Sequence, residues 1–174
     1  MSDCIDNSTA WEARENMWKA TRQVTRRSFL TAGSVAAVAA AAVPVEVDAG
    51  QATAEEASNI AVVNAFCAAF VVPFDWEKIA TPLTSDCKYR ASQNVPLVEG
   101  PDAIVEFLKS FAGNATSVGF DVIDTWARGP VVVNDRVDRF VLLDRSLDIP
   151  VVGVFHLIDG KIAEWSDFVF DFSG

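Results

Sequence analysis

Hydrophobic and polar positions divide the chain into three regimes. From Ala32 to Val45 no charged residue occurs; from Ala54 to Phe111 apolar residues recur at three- and four-residue spacing; from Val118 onward the period falls to two. In the middle regime, Thr53-Ala54-Glu55-Glu56 predicts a helix start, with Thr53 as N-cap and Glu56 at the capping-box position. Ile60, Val63, Phe66, Cys67 and Phe70 form its apolar stripe, and Pro73 ends it. A short second helix is predicted from Asp75 to about Ala80, then a strand over Cys87–Gln93. Gly100-Pro101-Asp102 opens a third helix that buries Ile104, Phe107, Leu108 and Phe111 and stops at Gly113-Asn114. The alternating regime predicts strands over Val118–Ala127, Val131–Leu143, Val151–Ile158 and Lys161–Phe170, with turns at Gly129-Pro130 and Asp159-Gly160. Helices followed by a meander give an α+β fold: a curved mixed β-sheet wrapped over three helices as a cone whose mouth encloses a pocket.

The uncharged run is shorter than the roughly 20 residues that span a bilayer as a helix. It follows Thr25-Arg26-Arg27-Ser28-Phe29-Leu30 and precedes Val47-Asp48-Ala49. Basic segment, apolar segment and small residues in that order make a secretory signal. The paired arginines before Phe-Leu resemble the twin-arginine export motif, which implies a leader over 1–49 and a mature domain over 50–174; cleavage fits best after Ala49, with Ala42 and Ala54 as alternative sites. Export to the periplasm or outside the cell is expected, with transient membrane contact through the signal alone.

Composition narrows the chemistry. The formal net charge is −10, and the leader carries six acidic and five basic residues, so nearly all the excess lies in the mature part. No Lys/Arg-rich face follows the leader, which argues against a nucleic-acid partner. Cys4, Cys67 and Cys87 show no CxxC spacing and His156 is the only histidine, so a Cys/His zinc site is not expected. GxGxxG, Walker and GxSxG patterns do not occur. Catalysis, if present, falls to carboxylates, Arg, Tyr and amides. Arg136 and Asp138 stand two apart in a strand candidate and share a face, and Asp167 lies in the last strand candidate. An arginine between two carboxylates in an apolar surround can hold two acids with separated pKa values, or can simply be a buried salt-bridge network that fixes the sheet. Phe111, Phe140, Ile149, Val151 and Val169 are candidates for the apolar wall. Trp126 and Trp165 are expected in the core, and Cys67 and Cys87 are possible disulfide partners after export.

Three runs carry a wider likeness: Asp135-Arg136-Val137-Asp138, Gly153-Val154-Phe155-His156-Leu157-Ile158-Asp159-Gly160-Lys161-Ile162, and Trp165-Ser166-Asp167-Phe168. Together they resemble the limonene-1,2-epoxide hydrolase family, within the nuclear-transport-factor-like and SnoaL-like cone superfamily. The resemblance covers Glu55 to Asp171 and implies Asp138 as general acid, Arg136 as the bridging arginine and Asp167 as the water-activating carboxylate. The family also holds its water with a Tyr and an Asn two residues apart. Tyr89 lies in the matching strand but is followed at that spacing by Ala91, while the run Ser92-Gln93-Asn94-Val95-Pro96-Leu97 offers Asn94. The resemblance further implies no cofactor or metal, a small apolar epoxide as substrate and a homodimer; it places His156 in the core or at the pocket rim. An isomerase, cyclase or dehydratase of the same superfamily and a non-catalytic hydrophobic-ligand domain remain as other readings.

The leader yields one direct test. Protein recovered from the exported fraction should begin at Gly50 by N-terminal sequencing; an intact Met1 there would overturn the processing.

Overall fold

The structure, a computed structural model, describes residues 52–170. The leader, its twin-arginine motif and cleavage site, and Asp171 lie outside the described residues. The chain order is α1 (Ala54–Cys67), α2 (Trp76–Ala80), β1 (Leu83–Arg90), β2 (Val98–Glu99), α3 (Pro101–Ala112), β3 (Ser117–Arg128), β4 (Val131–Val141), β5 (Ser146–Ile158) and β6 (Lys161–Val169). The six strands form one curved, unclosed sheet in the order β2-β1-β6-β5-β4-β3, with β1 and β6 parallel and every other pair antiparallel. This is the expected α+β arrangement with a mixed sheet.

Local chemistry explains the helix ends. Thr53 accepts from the Glu56 N–H at 3.1 Å while Glu56 accepts from the Thr53 N–H at 2.8 Å, which is the capping box. Asp75 caps α2 through the Lys78 N–H at 3.0 Å, and Pro101 stands in the first turn of α3. The first helix ends at Cys67, six residues before Pro73, because the chain turns at Ala68 and buries Ala69 and Phe70 below it. Asp159 (φ 50°) and Gly160 (φ 73°) take the left-handed conformations that a tight two-residue hairpin needs.

Strand boundaries depart from the sequence reading where tertiary pairing extends or cuts an apolar run. The strand expected over Cys87–Gln93 is β1, which begins at Leu83 and stops at Arg90. The one expected from Val151 begins at Ser146, because β4 continues past Val137 and supplies Pro150, Ile149, Asp148 and Leu147 with partners. The short β2 was not expected. On α3 the buried side is Ile104, Val105, Leu108 and Ala112; Phe107 is half-buried and Phe111 is 53% exposed. Trp165 is in the core as expected, whereas Trp126 is 46% exposed, because it pairs with Val133 on the outer face of the sheet. Cys67 and Cys87 are both buried free thiols and do not pair.

What orients the helical layer is a clamp at one hairpin. Glu56 also accepts from the Gly129 N–H at 2.8 Å, and Asn59 donates to the Gly129 carbonyl at 3.3 Å. Both backbone groups of the β3–β4 turn are thus held by the first turns of α1. Those backbone donors, Gly129 first and Thr53 next, hold the Glu56 carboxyl below its ordinary value. A depressed carboxyl stabilises the fold above its unfolded pKa, and that stability is lost as pH falls through the folded value. Glu56→Gln should therefore lower the melting temperature at pH 7, and the gap from wild type should close on acidification below about pH 4. Equal losses at both pH values would refute the clamp.

Candidate active site

Alternate residues of β4 point to the helix-covered face, so Asn134, Arg136 and Asp138 stand in one line, flanked by Val132 and Phe140. Cross-strand register extends each position into a row. Phe120, Asp138 and Ile149 make one row; Val122, Arg136, Val151 and Val169 the next; Thr125, Asn134, Gly153 and Asp167 the third. A bulge between Val122 and Asp124 lets β3 keep both Phe120 and Thr125 on this face.

The Arg136 side chain is wholly buried, and its donors are directed at three side chains. Nε donates to Asp138 Oδ1 at 2.7 Å; Nη2 donates to Asp138 Oδ2 at 3.1 Å and to Asp167 Oδ1 at 2.8 Å; Nη1 donates to Asn134 Oδ1 at 3.0 Å. Asp167 Oδ1 also accepts from Trp165 Nε1 at 2.8 Å, and the Tyr89 hydroxyl is a further partner of this carboxyl. Tyr89 is fixed by stacking on Trp165, with centroids 3.9 Å apart. Across the guanidinium lies the Phe120 ring at 5.0 Å, itself stacked on Phe70 at 4.1 Å. The third row leaves room for all this only because it contains Gly153. A Cβ there would run into Arg136 Nη1, meet Asn134 Oδ1 at 2.6 Å and meet Phe155 Cε2 at 2.8 Å.

Burial sets the electrostatics. Desolvation pushes the Asp138 carboxyl up to about 6 against the opposing pull of Arg136. Asp167 is also raised, again by burial first, with Arg136, Trp165 and Tyr89 pulling the other way. Burial works against the Arg136 charge, but Asp167 and Asp138 more than offset it and hold the guanidinium protonated. With two acids on one cation, full ionisation leaves a surplus negative charge in a dry site, and one proton neutralises the cluster. Asp167 accepts from two side chains, Arg136 and Trp165, and Asp138 from Arg136 alone, so the proton belongs on Asp138. Such a cluster can give a proton from one carboxyl and take one at the other. Among the described residues no group of three or more His, Cys, Asp and Glu side chains is placed to hold a metal ion.

The structure brings Arg136, Asp138, Asp167 and Tyr89 together, with Phe140, Ile149, Val151 and Val169 on the same face. Three expected residues are elsewhere. Asn94 is exposed in the loop after β1, because the strand ends at Arg90 and the chain turns away; Ala91, one step past the Arg90–Ser166 pair, is the residue level with Asp167. His156 pairs with Val131 and Glu164 on the outer face, one residue out of phase with buried Phe155. Phe111 reaches the site only through an edge contact with Phe140, centroids 5.1 Å apart, on an exposed helix face. The pocket also differs from expectation. An open groove of about 490 Å³ lies between α1 and β3, lined by Ile60, Asn64, Phe120, Val122 and Thr125 among others, and none of the expected wall residues borders it. Phe120, one of its lining residues, also lies against the Arg136 guanidinium at 5.0 Å. Asn134 and Gly153 escaped the sequence reading, although strand parity with Arg136 marks Asn134 as inward.

Comparison with known proteins gives a family and a shared fold. The model of the limonene-1,2-epoxide hydrolase catalytic domain matches residues 57–173. An LEH-like epoxide hydrolase from M. tuberculosis is similar at 25% identity and a TM-score of 0.57, over 67% of this chain and 85% of that one. The fold is shared with a candidate SnoaL-like polyketide cyclase from Jannaschia sp. CCS1, at 18% identity and TM-score 0.61 over 69% of this chain and 90% of that one. It is also shared with a nuclear-transport-factor-2-like protein of unknown function from Burkholderia pseudomallei K96243, at 16% identity and TM-score 0.58 over 65% and 91%.

The gap at Gly153 supplies a test of this packing. Gly153→Ala should destabilise the protein by at least about 1–3 kcal/mol, the usual range for overpacking, in chemical denaturation. A neutral effect would show that the guanidinium does not need the vacancy.

Proposed function

Because the chain belongs to the limonene-1,2-epoxide hydrolase family, we propose that it hydrolyses a small apolar epoxide to a diol in one step, without a cofactor. The observation that carries this reading is the single buried guanidinium hydrogen-bonded to both Asp138 and Asp167. Asp167 takes a proton from water as that water attacks an epoxide carbon; the C–O bond breaks, and Asp138 gives its proton to the leaving oxygen. Arg136 stays charged, ties the two carboxyls together and compensates the charge that shifts between them. Tyr89, whose hydroxyl acts on the Asp167 carboxyl, would orient the water. Phe120 and Ile149 flank Asp138 in its row and keep it in an apolar surround, which supports an apolar substrate.

Asp138→Asn, Asp167→Asn and Arg136→Ala should each abolish diol formation, with ¹⁸O from labelled water appearing in the diol made by wild type. The two asparagine variants should remain folded. Turnover should decline as pH rises through about 6, where Asp138 loses its proton, and again on acidification as Asp167 gains one. Activity retained in both asparagine variants would overturn the assignment.

A further inference from the structure

We propose that Asn134 is a positioning residue of this site: it fixes the free edge of the Arg136 guanidinium, and so sets how the two carboxyls share their proton. The inference rests on the hydrolase reading for its kinetic meaning, but not for its geometry.

Asn134 is fully buried and both ends of its amide are engaged. Oδ1 accepts from Arg136 Nη1 at 3.0 Å, and Nδ2 donates to the Cys67 thiol of α1 at 3.3 Å. A thiol is a weak acceptor, so the second bond contributes little energy and chiefly orients the amide, leaving oxygen toward the arginine. Asp138 grips the Nε–Nη2 edge of the fork in a bidentate pair, about which the guanidinium could swing. Asn134 and Asp167 sit on either side of Gly153 in one row and hold the two terminal nitrogens. With Asn134 in place the plane cannot turn, and Nη2 stays between both carboxyls. The amide also does this without adding charge. An aspartate of the same shape would put a third acid on one cation, so the side chain's neutrality is as specific as its reach.

The charged and titratable groups around the pair are few. Arg136 lies on the same strand, Asp121 on β3, Cys67 on α1 and Tyr89 on β1, besides the two carboxyls themselves. Neither Tyr89 nor Cys67 ionises near neutrality, since burial raises both. Changes at 134 are therefore read mainly through Asp138 and Asp167.

The experiment uses the full chain with Asn134→Asp, Asn134→Ala and Asn134→Ser. Asn134→Asp, nearly isosteric, should shift both limbs of the kcat–pH profile upward by about half a unit or more. Asn134→Ala should lower kcat about ten- to a hundredfold with KM little changed, and Asn134→Ser, which keeps an acceptor oxygen, should recover part of the loss. A second readout needs no substrate. Asp138 is raised in the fold, so the native state keeps a proton that the unfolded chain releases, and unfolding free energy falls as pH rises from about 4 to about 6. Asn134→Asp should extend that falling window to higher pH. Wild-type pH dependence in Asn134→Asp by both readouts, or loss of stability alone in Asn134→Ala, would reduce Asn134 to packing and overturn the proposal. If wild type turns over no epoxide, the hydrolase reading fails and the stability slope alone decides for or against the role of Asn134.

Discussion

A guanidinium without solvent contact is the constraint to which the middle of the sheet is built. Moving one such ion out of water costs several kcal/mol even after relaxation, and that cost is recovered only with close partners on every side. Here the partners come from two strands. Asp138 and Asn134 flank Arg136 on β4, and Asp167 reaches in from β6 across β5. The intervening strand must then lack a side chain at that height, and Gly153 is what stands there. Strand parity, the glycine and the Trp165–Asp167 bond are thus consequences of one buried charge rather than separate features.

A buried ion cluster is also what a purely architectural role produces, so the composition of this one matters. A network that only braced the sheet would be best balanced, with as many acids as cations. This one has a surplus acid at its centre, held away from water and raised to about 6. Retaining that proton weakens the ion pairing and adds nothing to packing that a neutral amide would not. The surplus makes sense when a proton must be delivered.

Much of this was legible in the sequence because its signals are local. The Thr53–Glu56 box, Asp75 before α2, Pro101 and Asp159-Gly160 each act within four residues, and each element starts or turns where they direct. The pairing of Arg136 with Asp138 needed only a period of two. What failed depended on distant partners. Asn94 matched by spelling, but whether β1 continues past Arg90 is decided by its pairing with β6. His156 sits in an apolar run whose phase is set by β4 and β6, and phase places it outside. Phe111 follows the helical period yet meets the sheet only at the edge of the Phe140 ring, so it stays half exposed. Asn134 could have been found by extending the parity of Arg136 one step back.

Under the proposed hydrolysis, the dryness that leaves Asp138 its proton would also obstruct the reaction. Only 6% of the residue is exposed, with Phe120 and Ile149 beside it and Phe70 stacked behind Phe120. Opening this cover to bulk water would remove the desolvation that lifts the carboxyl, and the acid would be lost in the act of admitting a substrate. A substrate must therefore take the place of an apolar side chain rather than of water. On that proposal, the Phe120 and Phe70 rings beside Arg136 and Asp138 offer surface that a hydrocarbon would replace ring for ring, and the carboxyl would remain an acid.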